Sequence, residues 1–102
     1  MRKNRRRYLL FQLHRENGII NEKDLSMAMW KNLLSLYGEI QAADSRLYLM
    51  EFDEVQGLGV IQCTAEALSQ VIIASVLIGS INNIGVSFEP KKTSGTMKGL
   101  VR

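Results

Sequence analysis

Residues 46–63 read RLYLMEFDEVQGLGVIQC, and this stretch decides the fold. Its two ends, Arg46–Asp53 and Gly59–Cys63, are mostly apolar and of strand length. The short connection between them contains Gly57, which favours a hairpin turn. The sequence therefore predicts two antiparallel strands in the middle of the chain.

One helix is predicted on each side of this hairpin. Residues Glu22–Tyr37 carry apolar side chains at helical spacing, Asn21 suits the N-cap, and Gly38 suits the left-handed position that ends a helix. After the hairpin, Thr64 is a candidate cap for a second helix that runs to about Ile78.

The apolar residues of the second helix continue round its back through Ile73, Val76 and Leu77. A helix on a sheet normally turns a polar side to solvent. This side is therefore expected to be covered, either by the first helix or by another protein.

Alternating apolar residues predict two further strands, at Tyr8–His14 and Ile84–Glu89, and Pro90 is expected to close the last one. The resulting order is β-α-β-β-α-β. Right-handed crossovers and short connections make this an α+β, ferredoxin-like (RRM-like) sandwich, with one antiparallel sheet and two helices on one face. At 102 residues we expect a single domain spanning residues 1–102. The fold by itself names no function.

Basic residues are concentrated at the two ends of the chain. Five lie before residue 8 and four after residue 90, whereas all 10 acidic residues lie between them with only four basic ones. The middle is therefore net −6, although the whole chain is +3. We call residues 1–7 the N-terminal arm and residues 91–102 the C-terminal tail. Their charge favours contact with a polyanion, and the alternative is that it serves only solubility.

No arrangement of residues predicts catalysis or a bound metal. His14 is the single histidine, and no second ligand stands at a zinc-type spacing from it, so we expect a hydrogen-bonded histidine on the sheet surface. Asp53 and Glu54 are neighbours in an extended segment, where side chains point apart, and both are expected to end the strand in water. We therefore expect no active site and no cofactor on this chain.

The sequence also predicts a soluble, cytoplasmic protein. Cys63, the single cysteine, lies in an apolar run and is expected to be a buried, reduced thiol. The basic arm leads directly into a strand pattern, so a signal peptide is not expected. The longest apolar stretch, Val71–Ile78, is far shorter than a membrane span.

The predicted fold invites comparison with domains that stack RNA bases on aromatic side chains of their central strands. The third strand contains no aromatic residue, so base stacking on that strand is not expected. Basic ends beside a sheet instead favour recognition of phosphates and of the shape of a folded RNA.

Two motifs at the ends of the chain resemble one known family, archaeal ribonuclease P protein component 2, counterpart of a small eukaryotic ribonuclease P subunit. Arg6-Arg7-Tyr8-Leu9-Leu10-Phe11 is similar to its start, and Thr93-Ser94-Gly95-Thr96-Met97-Lys98 to its closing Ser-Gly-Thr-hydrophobic-Lys signature. Leu36-Tyr37-Gly38 and Val60-Ile61-Gln62-Cys63 are similar in type and order, with Gln62 where the family commonly has arginine.

The resemblance implies a non-catalytic RNA-binding subunit that assists the catalytic RNA of ribonuclease P in removing the 5′ leader from precursor tRNA. It also implies partners: the ribonuclease P RNA, which holds the catalytic magnesium ions, and the TIM-barrel-like protein component 3, in a heterotetramer built on a dimer of the present chain. The residues expected to contact RNA are Arg5, Arg6, Arg7, Tyr8, Lys91, Lys92, Ser94, Gly95, Thr96 and Lys98.

Two other functions fit the same predicted fold. One is a small dimeric regulatory or ligand-binding domain, which has no need of basic ends. The other is an acylphosphatase-like enzyme, which requires an arginine-bearing phosphate loop after the first strand. Arg15 followed by Asn17-Gly18 matches such a loop only faintly.

Overall fold

The computed structural model describes residues 5–100, so parts of the predicted arm (1–4) and tail (101–102) lie outside the described residues. The elements are β1 (Arg6–Arg15), α1 (Glu22–Ser45), β2 (Tyr48–Phe52), β3 (Leu58–Thr64), α2 (Leu68–Val76), β4 (Ser80–Ile81), β5 (Ile84–Ser94) and a 3₁₀ helix, η1 (Lys98–Leu100). The strands form one antiparallel sheet in the order β2-β3-β1-β5-β4. The predicted α+β, ferredoxin-like fold is confirmed.

The main core lies between the sheet and the two helices. Alternate residues of β1 (Leu9, Phe11 and Leu13) point toward the helices and are fully buried. Phe11 lies at the centre, with its ring 4.6 Å from that of Phe88 and 6.1 Å from that of Phe52. Burying each side chain of this size contributes about 1.5–3 kcal/mol. The opposite side of the sheet, which we call the open face, has no helix of this core on it.

Helix α1 begins as predicted but does not end at Gly38. The side chain of Asn21 accepts a hydrogen bond from the Asp24 N–H at 2.8 Å, which caps the first turn. Gly38 has a positive φ (87°), but its ψ of 172° is extended and lies outside the predicted left-handed helical region, and a second helical segment follows and runs to Ser45. Ala42 and Ser45 in this segment are fully buried. Tertiary packing therefore maintains helix where the local pattern predicted a stop.

The β2–β3 turn is tied to the start of α1. Asp53 accepts hydrogen bonds from the N–H groups of Val55 and Gln56, both at 2.9 Å, and so shapes the turn. Glu54 accepts a hydrogen bond from the N–H of Glu22 at 2.8 Å. A carboxylate at a helix N-terminus is favoured by the helix dipole. The prediction that both acids end in water was therefore wrong for Glu54.

Helix α2 begins later than predicted. Thr64 accepts a hydrogen bond from the Ala67 N–H at 3.3 Å, but this bond closes a turn over residues 65–67, and the helix starts at Leu68. The apolar back of α2 is left exposed at Ile73, Val76 and Leu77. Within residues 5–100, α1 therefore does not cover it.

The last strand is longer than predicted and has an additional partner. Asn82 and Asn83 both have positive φ and join the short strand β4 to β5 as a hairpin, which local patterning did not indicate. Pro90 does not close β5. The register shifts there, so that Leu10 pairs with Lys92 and Phe11 with Pro90, leaving Lys91 as the extra residue of a bulge. A bulge tolerates proline, which lacks an N–H group.

Candidate nucleic-acid interface

The sheet brings the arm and the tail together. Because β1 is antiparallel to β5, the start of β1 lies beside the end of β5, and Tyr8 pairs with Ser94. Beyond this pair, a Cβ on Gly95 would lie 3.5 Å from a guanidinium nitrogen of Arg7. Two predicted clusters more than 80 residues apart in sequence thus meet at one end of the sheet, where β1 starts and β5 finishes.

We call this region the basic end. Its cationic residues are Arg5, Arg6, Arg7, Lys92 and Lys98. All are exposed except Arg7, which is half-buried and donates a hydrogen bond to the carbonyl of Arg6 at 3.1 Å. Arginine is always charged and presents its donors as a fork that matches phosphate oxygens. The arrangement is therefore suited to binding polyanions.

Lys91 differs from the other predicted contacts because it lies at the bulge. Its ammonium group is 3.9 Å from a carboxylate oxygen of Glu89. The His14 ring is 2.8 Å from the other oxygen, which confirms the predicted hydrogen-bonded surface histidine. The hydrogen bond to His14 and the charge of Lys91 lower the pKa of Glu89. Glu89 thus neutralises part of the Lys91 charge.

The hydroxyl groups of the closing motif shape the tail. Ser94 accepts a hydrogen bond from the Thr96 N–H, and Thr96 accepts one from the Gly99 N–H, each at 3.2 Å. A hydroxyl that accepts a bond still has its own O–H to donate, so the predicted contacts to phosphate remain chemically available. The glycine that this turn requires is Gly99, since a Cβ there would overlap Ser94 Oγ.

Sequence reasoning missed Leu100. The side chain is only 4% exposed and packs on the open face against Leu10 and Val60, with Tyr8 at the edge of the cluster. The sequence did contain a hint of this contact, since Leu10 and Val60 are apolar at strand positions that point away from the helices and therefore need a cover on that face. Leu100 attaches the tail to the sheet and holds η1 over the open face.

The described residues contain no group of three His, Cys, Asp or Glu side chains placed to hold a metal ion. Burial raises the pKa of the Cys63 thiol to about 11, so this group is protonated at neutral pH.

Between residues 5 and 100, neither helix has the length and apolarity needed to cross a membrane.

Comparison with known proteins identifies the family. The profile of the Rpp14/Pop5 family matches residues 7–102, nearly the whole chain. The chain belongs to the Rpp14/Pop5 family. The resemblance noted in the sequence is thereby confirmed.

Two archaeal relatives of this Rpp14/Pop5 chain are each named ribonuclease P protein component 2. The protein of Archaeoglobus fulgidus is 36% identical over 96 residues, which cover 94% of this chain and 84% of that protein. The protein of Pyrococcus furiosus is 30% identical over 100 residues, which cover 98% of this chain and 82% of that protein.

A solved structure has the same fold as this Rpp14/Pop5 chain. It is a chain in the cryo-EM structure of yeast ribonuclease MRP, with a TM-score of 0.72 over 94% of this chain and 78% of that chain. The two sequences are 10% identical, so this likeness establishes the sandwich architecture alone.

Proposed function

We propose that this chain, a protein subunit of ribonuclease P, binds RNA through the basic end and leaves catalysis to the RNA. The subunit would assist the catalytic RNA in removing the 5′ leader from precursor tRNA. The observation that carries the proposal is the antiparallel pairing of β1 with β5, which joins two basic segments into one surface. Family membership and the two archaeal relatives support the same role.

The proposed binding is electrostatic. Each cationic side chain that contacts a phosphate releases condensed counterions, and each contact steepens the dependence of log affinity on log salt by about 0.9. The predicted contacts are Arg5, Arg6, Arg7, Tyr8, Lys91, Lys92, Ser94, Gly95, Thr96 and Lys98. Magnesium ions for the reaction would be held by the RNA.

The partner proteins and the location are part of this proposal. We expect association with ribonuclease P protein component 3 and a homodimer within a heterotetramer. The exposed apolar side of α2, formed by Ile73, Val76 and Leu77, supports a protein contact there. A single, buried cysteine, Cys63, suits a reducing compartment, and we propose the cytoplasm. Co-purification with component 3 and the catalytic RNA would test the assembly.

A triple substitution tests the RNA contact. Replacing Arg5, Arg6 and Arg7 by alanine is expected to weaken binding to ribonuclease P RNA and to reduce its salt slope by up to about 3 units. Fluorescence anisotropy over a salt series would measure the slope.

The matched control for this experiment is the pair Lys23→Ala and Lys31→Ala, two exposed cations of α1 that lie outside the basic end. The control should leave the salt slope unchanged. A triple variant with the slope of the unmodified protein would refute the phosphate role and would favour the ligand-binding alternative.

A further inference from the structure

A line of four side chains crosses the open face at the basic end. Tyr8 pairs with Ser94 on one side and with Gln62 on the other, and Gln62 pairs with Tyr48. Directly paired residues of antiparallel strands point to the same face. Ser94, Tyr8, Gln62 and Tyr48 therefore follow one another across β5, β1, β3 and β2. We call this line the tyrosine row.

The two tyrosine positions are separated by one strand. Neighbouring strands lie about 4.8 Å apart, so the positions are about 10 Å apart, with the amide of Gln62 between them. Tyr48 is 62% exposed, whereas Tyr8 is half-buried because it packs against the cluster around Leu100. Among the hydrogen bonds of residues 5–100, none involves the side-chain amide of Gln62. The row thus offers two aromatic groups and an uncommitted donor and acceptor.

Cations flank the tyrosine row on both sides. Arg6, which pairs with Thr64, lies next to the row on the open face. On the other side of the tyrosine row, the neighbouring line of paired residues consists of Lys92, Leu10, Val60 and Glu51. Leu100 covers Leu10 and Val60 in this line. The tail therefore closes one side of the row, and Arg6 and Lys92 place positive charge beside it. Glu51 lies at the far end, on the edge strand.

We infer that the tyrosine row binds unpaired RNA, with Tyr8 and Tyr48 each stacking a base. This inference rests on the proposed RNA binding and adds the kind of RNA element that is recognised. Consecutive bases in a helical strand are about 3.4 Å apart, much closer than the two tyrosine positions. Only nucleotides released from a helix, with their bases splayed, fit both rings.

The chemistry of the row favours RNA over a peptide. Aromatic rings bind the π-face of any base, and the flanking arginine and lysine contact the phosphates that accompany it. The amide of Gln62 presents both a donor and an acceptor, the combination that matches a base edge. The sequence predicts no base stacking on β3, because that strand has no aromatic residue. The structure supplies the rings from β1 and β2 on either side of it.

The test compares three RNAs of similar charge with the full chain. The probes are a fluorescein-labelled oligouridylate of about ten nucleotides, the same oligomer with abasic riboses at its centre, and a fully paired A-form hairpin whose two strands are joined by a non-nucleotide linker. Tyr48→Ala is expected to weaken oligouridylate binding about 5- to 100-fold, the range found when one stacked base loses its aromatic partner. Binding of the abasic oligomer and of the hairpin should change less than about 2-fold.

Conservative variants separate stacking from structural damage. Tyr48→Phe keeps the ring and should bind the oligouridylate within about 2-fold of the unmodified protein. Gln62→Leu keeps the side-chain volume but removes the hydrogen bonds, and should lose about 2- to 10-fold. If Tyr48→Ala lowers the melting temperature, Tyr48→Leu, which keeps apolar bulk without the ring, should show the same loss of binding.

The possible results distinguish this inference from the proposed function. Oligouridylate affinity that is unchanged in both Tyr48→Ala and Tyr48→Leu would overturn the tyrosine row while leaving hairpin binding intact. An equal loss for all three probes would also overturn it, because that pattern indicates a purely electrostatic or structural effect. If the unmodified protein binds none of the three RNAs at low salt, the proposed function itself fails.

Discussion

The properties of Cys63 follow from burial at the level of a single residue. The side chain lies in β3 on the side that faces the helices and is almost completely inaccessible. Burial disfavours the charged thiolate, and this desolvation raises the pKa from 9.0 to about 11. A protonated, inaccessible thiol is a poor nucleophile and a poor metal ligand. Cys63 therefore belongs to the core of the protein and is not part of the basic end.

The raised pKa of Cys63 predicts how stability changes at alkaline pH. Below pH 9 the thiol is protonated in both the folded and the unfolded chain, so its ionisation costs nothing. As the pH rises from 9 toward 11, the unfolded chain ionises while the folded chain does not, and the free energy of unfolding falls. Urea titrations across this range, compared with Cys63→Ala, would isolate the effect. A parallel loss of stability in both proteins would contradict it.

Helix α1 illustrates how local and tertiary forces combine within one element. Asn21 and the carboxylate of Glu54 stabilise its first turn, and Gly38 interrupts its hydrogen-bonded run with a φ of 87°. The continuation to Ser45 depends on buried contacts of Ala42 rather than on helical periodicity. The bend at Gly38 therefore lets both segments of α1 pack on the same core.

Substitution of Gly38 tests the bend. A Cβ at this position meets no atom within 4 Å, so Gly38→Ala should be limited by the backbone cost of φ 87° with ψ 172°, a region essentially confined to glycine, at about 1–3 kcal/mol. Each 1 kcal/mol of that cost lowers the melting temperature by about 4–8 °C. Gly79→Ala is the control, because Gly79 also has open space and lacks positive φ. Equal melting temperatures for the two variants would show that the bend carries no strain.

At the scale of the whole molecule, strand pairing decides where the basic segments and the tyrosines lie. The order β2-β3-β1-β5 puts the start of β1 between β3 and the end of β5. Both basic segments and both tyrosines consequently meet at one end of the open face. Leu100 then packs the tail onto Leu10 and Val60, so the tail lies over this end of the open face.

Removing the Leu100 side chain should detach the tail without unfolding the domain. Leu100→Ala is expected to lower the local opening free energy at the end of β5 by about 2 kcal/mol, because a buried leucine in a small satellite cluster is truncated. Hydrogen exchange of the Gly99 and Leu100 amides would measure it. Lys98→Ala, an exposed change in the same 3₁₀ helix, should leave these amides protected. Comparable exchange in both variants would contradict the role of Leu100.

The sequence by itself determined the order of the six main elements, the helix-facing residues of β1 and the N-cap at Asn21. These features depend on interactions within a few residues, which periodicity and capping chemistry reveal directly. The basic character of the two ends was also visible, because charge is read from composition. The motifs at residues 6–11 and 93–98 indicated the family.

Three features were decided only by the tertiary structure. Leu100 packs on Leu10 and Val60, and β5 continues past Pro90. The side chains of Tyr8, Gln62 and Tyr48 form one row. Each of these depends on strand register. A shift of one residue would turn every side chain of a strand to the other face, and the register is set by packing of the entire sheet against the helices. Local sequence carries no record of that choice, which is why the position of these residues on one surface became visible only when the strands were paired.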